Sequence, residues 1–249
     1  MSLRIGLFDS GVGGLSVLKE LYAHVRAEYV YVGDSLRAPY GNKTKDELTS
    51  CTRDLLSFLQ QKDVDIFISA CNSLSTLETD ALLESLSIER SRYIDMRAFA
   101  AAAKPALPEN ASVLVYGTTA TLATHVYQDI YAAWNPQVLA SSHLAYAIET
   151  GHQIEIDEEI DSLVDYIIGH NISHVILACT HYPLIQEYID KRCVGLVVTF
   201  INIAHYVPGV LTAQQGDRLS LEVFTTKNSE VFETYVNCID DVLPKVIEL

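Results

Sequence analysis

Two cysteines stand in matching surroundings and could carry acid–base chemistry. Cys71 in SACNS and Cys179 in LACTH each follow an apolar run and an alanine, and each precedes two polar residues. A free thiol has a pKa of about 8.5, which a histidine or a helix N-terminus lowers toward neutrality. One thiolate can therefore remove a proton while a second thiol donates one. Two such groups on opposite faces of a substrate would suffice to invert a stereocentre next to a carboxylate.

The spacing of these cysteines recurs elsewhere in the chain. They are 179 − 71 = 108 positions apart, and the same offset aligns RIGLFDSG with SVLVYGTT. Asp9 then falls opposite Gly117, and the loop with Tyr40 falls opposite the one with Glu149. One offset across several loops predicts two structurally similar halves.

The elements that must position these loops alternate between strands and helices. Apolar runs predict strands, and two amphipathic stretches with helical spacing predict helices over 15–25 and 43–62. The alternation indicates an α/β fold of two similar lobes with mainly parallel sheets and the active site in the cleft between them. We expect one lobe from 1–95 plus 206–249 and the other from 96–205. The predicted strands are 4–8, 29–34, 65–71, 112–117, 174–179 and 195–201.

Ligands of such folds bind beyond the carboxyl ends of the strands, where both cysteines are expected. SACNSLST and LACTHYPLI are each predicted to run from a strand into a helix, whose backbone N–H groups would bind carboxylate oxygens. Ser10 in DSGVGG would do the same. The glycines there do not satisfy GxxxxGK[ST], so a nucleoside triphosphate site is excluded.

Composition narrows the class of protein. The 249 residues carry a formal net charge of −15 without a cluster of Lys or Arg, which argues against a nucleic-acid partner. No apolar run approaches the roughly 20 residues of a membrane span, and the first residues do not look like a signal peptide. We therefore expect a cytoplasmic protein without a membrane partner. Five cysteines without a CxxC pair predict free thiols and no metal site.

Six blocks, in order along the chain, resemble the cofactor-independent aspartate/glutamate racemase family, and its glutamate racemases in particular. The resemblance implies that L- and D-glutamate are interconverted without pyridoxal phosphate, other cofactors or metal, and that bacterial D-glutamate serves peptidoglycan synthesis. It also leaves a homodimer open. The blocks are IGLFDSGVGGLSVL, GDSLRAPYG, ACNSLST, YGTTAT, the Ile148–Glu149 loop and LACTHYPL.

The resemblance also implies roles for individual residues. Cys71 and Cys179 would be the catalytic acid and base, acting on the D- and the L-glutamate proton respectively, with Asp9, Glu149 and His181 as assisting groups. The implied substrate contacts are Asp9, Ser10, Tyr40, Gly41, Asn72, Ser73, Thr180 and His181, with Thr118 and Thr121 near the bound anion.

The chain departs from the family pattern at several positions, and we keep alternative functions beside the racemase. Aspartate racemases usually carry an acidic residue where this chain has His181, which favours glutamate. Ser73 replaces the usual threonine, while IDMRAFAAAA and FINIAHYV depart from the pattern. The alternatives are an aspartate racemase, a single-cysteine decarboxylase and an amino-acid-binding relative without activity. Glu149 could be a solvated loop residue, and Tyr40 could belong only to a turn.

Overall fold

The computed structural model describes residues 3–211, 216–239 and 245–249. Its strands form two sheets, one of six strands and one of four. The strands are β1 Arg4–Asp9, β2 Glu28–Gly33, β3 Ile66–Ser69, β4 Tyr93–Asp95, β5 Val113–Thr118, β6 Gln137–Ser141, β7 His174–Ala178, β8 Thr199–Asn202, β9 Ser220–Thr225 and β10 Val246–Glu248.

Every strand pair in the described ranges is parallel. The first sheet has the order β10-β9-β2-β1-β3-β4, and the second has the order β6-β5-β7-β8. Parallel neighbours need crossover connections, which the intervening helices supply. All strands of one sheet therefore end at the same edge, where their loops can meet.

Helices of very different length connect the strands. None of those in the described ranges has the length and apolar character that crossing a bilayer requires. The helices are α1 Leu15–His24, α2 Lys45–Gln60, α3 Asp80–Ser85, α4 Met96–Ala102, α5 Thr119–Ala123, α6 Val126–Ile130, α7 Leu144–Thr150, α8 Gln153–His170, α9 Gln186–Arg192, α10 Val207–Leu211 and α11 Glu230–Asn237.

The two sheets repeat one arrangement. The order β2-β1-β3-β4 in the first sheet corresponds to β6-β5-β7-β8 in the second. Adding 108 to the bounds of β2 gives 136 and 141, and β6 spans 137–141; adding 108 to β3 gives 174 and 177, and β7 spans 174–178. The predicted fold class, with two similar α/β halves, is confirmed. The "first half" below means β1–β4, β9 and β10 with their connecting loops, and the "second half" means β5–β8 with theirs.

The core lies in three layers. Ile5 and Leu7 of β1 belong to the same apolar cluster as Val113 and Val115 of β5, so the central cluster is shared by both sheets. Phe8, on the opposite face of β1, belongs to an outer cluster that packs under α2. A third cluster packs the second sheet against α8. Burial on both faces explains why the central strands read as continuous apolar runs.

Two local predictions are wrong. The strand predicted over 195–201 begins only at Thr199. The helices predicted directly after the cysteines are short 3₁₀ turns, Leu74–Thr76 and Tyr182–Ile185, and only the second leads into an α-helix, α9. Pro183 near the start of the second turn cannot donate a backbone hydrogen bond, which is consistent with a short, tight turn there.

Helix α2 begins with a reciprocal cap, whose contribution to stability can be tested. The Thr44 side chain accepts a hydrogen bond from the Glu47 backbone, and the Glu47 side chain accepts one from the Thr44 backbone. We expect Thr44→Ala to lower the free energy of unfolding by about 1 kcal/mol in urea titrations, because an N-cap oxygen is lost. Ser50→Ala, at an exposed interior position of the same helix, is the control and should leave stability unchanged or slightly higher. Equal losses in both variants would contradict the capping role.

Candidate active site

The carboxyl ends of both sheets open onto one small cavity. Space for the centre of a water molecule amounts to about 20 Å³ there, which is room for about one water. The loops after β1, β2 and β3 line it from one side, and those after β5, β6 and β7 from the other. The lining residues are Ser10, Pro39, Tyr40, Gly41, Cys71, Asn72, Ser73, Thr118, Ala145, Cys179, Thr180 and His181.

Cys71 reaches the cavity from the first half, where it follows β3. Burial, followed by the negative charge of Asp9, raises the pKa of its thiol well above the ordinary value. The carboxyl of Asp9 is fully buried at the end of β1. Burial raises its pKa as well, although the charge of His181 and a hydrogen bond with Cys71 oppose that shift. This side of the cavity therefore favours a protonated thiol beside a carboxylate that can take its proton.

The Asp9 carboxylate also shapes the start of α1. Its Oδ2 accepts a hydrogen bond of 2.6 Å from the backbone N–H of Gly14, the residue before α1. Ser10 Oγ lies 3.5 Å from Asp9 Oδ1. Asp9 thus satisfies a backbone donor at a helix start and contacts the Cys71 thiol with the same carboxylate.

Cys179 reaches the cavity from the second half and begins a chain of polar contacts. Its Sγ lies 3.9 Å from Nδ1 of His181, and Nε2 of His181 lies 2.8 Å from Oε2 of Glu149. Thiol and imidazole are both buried, and only 9% of the Glu149 side chain is exposed. The sequence Cys–Thr–His places thiol and imidazole on one side of a tight turn, while Glu149 comes from α7.

The charges of His181 and Glu149 depend on each other. Burial alone lowers the pKa of His181, but hydrogen bonds and charge interactions with Cys179 and Glu149 outweigh it and hold that pKa well above its ordinary value. Burial raises the pKa of Glu149, but the hydrogen bond and the charge of His181, together with the hydrogen bonds from Val12 and Ser35, outweigh it, so the net shift is downward. At neutral pH the pair is therefore an imidazolium and a carboxylate. The imidazolium can donate a hydrogen bond toward the Cys179 sulfur.

Glu149 is also held from the opposite half of the molecule. Its Oε2 accepts a hydrogen bond of 2.9 Å from the backbone N–H of Val12, and its Oε1 accepts one of 2.8 Å from Ser35 Oγ. Val12 follows β1, and Ser35 follows β2. The solvated-loop reading of Glu149 is thus wrong, because the carboxylate has three partners in a largely buried place.

Two glycines make room for these side chains. A Cβ at Gly11 would lie 2.3 Å from Glu149 Oε1, and one at Gly13 would lie 2.4 Å from His181 Nδ1. Real Cβ atoms do not approach other atoms so closely. Glycine at these two positions of DSGVGG therefore allows side chains of the second half to approach the loop. Tyr31 secures the same loop, because its hydroxyl donates a hydrogen bond of 2.6 Å to the Gly11 carbonyl.

Hydroxyl groups from both halves meet on another side of the cavity. Ser73 Oγ lies 3.1 Å from Thr118 Oγ1, which lies 2.9 Å from Thr121 Oγ1. Thr118 also caps α5. Next to Ser73, Asn72 donates a hydrogen bond of 2.6 Å to the Tyr127 hydroxyl, while its Oδ1 is buried and has no hydrogen-bond partner among the described residues. The cluster can donate to an anion, and the free amide oxygen can accept from an ammonium group.

Tyr40 belongs to a wider network. Its hydroxyl donates to Asp34 Oδ2, which also binds Arg37 Nε at 2.5 Å. Thr226, after β9, donates a hydrogen bond of 2.9 Å to Asp34 Oδ1. The turn-only reading of Tyr40 is therefore wrong, because the ring is buried at the cavity wall and its hydroxyl is fixed by a buried carboxylate.

Most of the residues predicted for the site meet at this cavity. Asp9, Glu149 and Thr121 do not line it but contact residues that do. Pro39 and Ala145 line it and were not predicted, and neither was Ser35. Pro39 and Ser35 lie inside the block GDSLRAPYG, which could have pointed to them, whereas nothing in the sequence distinguishes Ala145. Within the described ranges, no three His, Cys, Asp or Glu side chains form a group that could hold a metal ion.

Known proteins resemble this chain in sequence and in fold. The family model of the Asp/Glu/hydantoin racemases matches residues 5–207. A glutamate racemase from Lactobacillus acidophilus is 30% identical over 244 residues, which cover 92% of this chain and 90% of that protein. The crystal structure of a glutamate racemase isoform from Bacillus anthracis superimposes with a TM-score of 0.83 at 26% identity, covering 100% of this chain and 97% of the other. A glutamate racemase from Campylobacter jejuni gives a TM-score of 0.80 at 28% identity, covering 98% and 100%.

The close approach at Gly13 leads to a test of the site's packing. We expect Gly13→Ala to lower the free energy of unfolding by about 1–3 kcal/mol, because the new methyl group must displace His181 or Thr180. Gly169→Ala in α8 is the matched control, since a Cβ there meets nothing within 4 Å. That change should raise stability by about 0.5–1 kcal/mol. Urea unfolding of both variants measures the difference, and a Gly13→Ala protein as stable as the unaltered one would contradict the packing described.

Proposed function

This chain belongs to the Asp/Glu/hydantoin racemase family, and we propose that it is a glutamate racemase, which interconverts L- and D-glutamate by proton transfer between Cys71 and Cys179. The observation that carries the proposal is that two thiols, one from each half, line the same cavity. Relatives that match nearly the whole chain are glutamate racemases, which supports glutamate as the substrate.

The chemical problem is the weak acidity of the proton on the glutamate Cα. In the proposed reaction one cysteine, as a thiolate, takes that proton on one face, and the other cysteine, as a thiol, returns a proton on the opposite face. The configuration is then inverted, and the two sulfurs have exchanged protonation states. The family assigns the D-glutamate proton to Cys71 and the L-glutamate proton to Cys179. The origin of the two thiols in different halves supports their action on different faces.

The assisting groups fit the two sulfurs differently. The His181 imidazolium, held by Glu149, can stabilise a thiolate at Cys179 and can return a proton to it. Asp9 can accept the proton of Cys71, because burial holds the pKa of that carboxyl above its ordinary value. Each cysteine therefore has its own proton partner, as a reaction that runs in both directions requires.

Substrate recognition follows from the polar groups around the thiols. Asn72 Oδ1, which has no partner in the part of the chain that the structure describes, is suited to accept a hydrogen bond from the α-ammonium group. The hydroxyls of Ser73, Thr118 and Thr121 are suited to a carboxylate, and binding through hydroxyl and backbone donors needs no arginine. Such donors also stabilise the negative charge that develops as the Cα proton leaves.

The proposal extends to the product and to the organisation of the chain. D-glutamate made in the cytoplasm would supply peptidoglycan synthesis, as the family implies for bacteria. The two lobes would comprise residues 1–95 with 206–249, and 96–205. The strands β2-β1-β3-β4 of the first sheet and β6-β5-β7-β8 of the second follow the same order, which supports this division.

We expect the purified protein to racemise both enantiomers of glutamate after dialysis against a chelator. The circular dichroism of L-glutamate should decay to zero, since the two enantiomers have equal free energy. Samples supplemented with pyridoxal phosphate or zinc serve as the comparison and should react at the same rate. Activity that disappears on dialysis and returns with either addition would overturn the cofactor-free proposal, and racemisation of aspartate in place of glutamate would overturn the substrate.

Serine at either reactive cysteine should abolish racemisation, because a hydroxyl is far less acidic than a thiol and gives no comparable base at neutral pH. The remaining cysteine should still exchange the α-proton of one enantiomer with solvent deuterium. Cys238→Ser, at the exposed thiol that follows α11 and does not line the cavity, is the control and should retain activity. The same enantiomer preference in Cys71→Ser and Cys179→Ser, or near-normal racemisation in either, would contradict the two-base assignment.

A further inference from the structure

The two assisting carboxylates differ in where their partners come from. Asp9 belongs to the first half, as do Gly14 and Cys71, which it contacts. Glu149 belongs to the second half, yet two of its three hydrogen-bond donors, Val12 N–H and Ser35 Oγ, come from the first half. Among the described residues, only the third donor, His181, belongs to the same half as Glu149.

This difference matters because the cavity must open to load its substrate. A space that holds about one water molecule cannot admit an amino acid with two carboxylates. The halves must therefore separate for entry and come together again around the ligand. Separation pulls Ser35 and Val12 away from Glu149 but leaves Asp9 and Cys71 together, since both lie at the strand ends of the first sheet.

We propose that Ser35 is a positioning residue for the Cys179 base: with the Val12 N–H it fixes Glu149, and through Glu149 the His181 ring, only when the two halves are closed. The inference rests on the proposed racemase function. Closure thus completes the acid–base chain of Cys179 around a bound substrate. The Asp9–Cys71 pair is complete in either state.

The surroundings of Ser35 fit a dedicated contact. Its neighbour Asp34 is held by Tyr40, Arg37 and Thr226, so the loop that presents the Ser35 hydroxyl is anchored on both sides. Behind Glu149 lies a separate opening of about 450 Å³, lined by Ser35 and Glu149. Without the serine hydroxyl, water from this opening can reach the carboxylate and compete with His181 for it.

Racemisation rates alone cannot reveal an effect on one cysteine. Because the equilibrium constant between enantiomers is one, kcat/KM must fall equally in both directions in any variant. Elimination from 3-chloroglutamate avoids this restriction, since it needs only one base. The base takes the Cα proton, the Cβ–Cl bond breaks, and chloride leaves. The resulting enamine takes up water and yields 2-oxoglutarate and ammonium, which a coupled dehydrogenase assay detects.

The experiment compares Ser35→Ala with the unaltered protein on both enantiomers of 3-chloroglutamate. The enantiomer that Cys179→Ser fails to process is the one served by Cys179. We expect Ser35→Ala to lower kcat/KM for that enantiomer about tenfold, the loss typical of a hydrogen bond to a charged group, and to leave the other enantiomer within about twofold. Ser35→Thr keeps the hydroxyl and should restore the rate. Ser142→Ala, at an exposed serine of the second half, should change neither rate.

A double-variant comparison separates positioning from general damage. If Ser35 acts through Glu149, Ser35→Ala should cost little further activity in a Glu149→Gln background. Equal losses for both enantiomers, no loss at all, or losses that multiply with those of Glu149→Gln would each overturn the inference. Absence of glutamate racemisation by the unaltered protein would overturn the proposed function itself, and the two failures are thereby distinguished.

Discussion

The buried ion pair between Glu149 and His181 is the interaction on which the rest of the site depends. A charge withdrawn from water is costly unless partners replace the lost hydration, and here the carboxylate finds three hydrogen-bond donors. Two of those donors belong to the opposite half of the molecule, so the carboxylate has all three donors only where the halves meet. The two glycines Gly11 and Gly13 follow from the same requirement, because any larger residue would occupy the space of the pair.

The two halves share a fold, but different groups lie beside their thiols. Both halves deliver a thiol at the end of equivalent strands, β3 and β7, but the groups beside the thiols differ. Cys71 lies beside a carboxyl whose pKa burial raises, and Cys179 lies beside an imidazolium. The two sulfurs therefore have unlike neighbours, although the strands that present them are equivalent.

Much of this arrangement could be predicted from the sequence, for reasons that are local. Apolar runs that end in Asp9, Cys71 and Cys179 mark strands buried on both faces, and the offset of 108 predicts that they recur in equivalent places. The strands β4, β6, β9 and β10 were not predicted, because β4 and β10 have three residues each and β6 and β9 are only partly buried. Contacts between loops that are far apart in the sequence could not be predicted either. Nothing near Ser35 in the sequence indicates that a glutamate 114 positions away would accept its hydrogen bond.

The connectivity of the sheets constrains how the molecule can move. The chain leaves the first sheet after β4, builds the whole second sheet, and returns to add β9 and β10 beside β2. Two covalent crossings therefore join the halves, and the apolar cluster shared by β1 and β5 lies between the sheets. A body attached at two points can swing about the line through them but resists twisting or sliding. We therefore expect the cleft to open by rotation about a wide hinge. Each cycle of opening and closing then returns the two thiols to the same alignment.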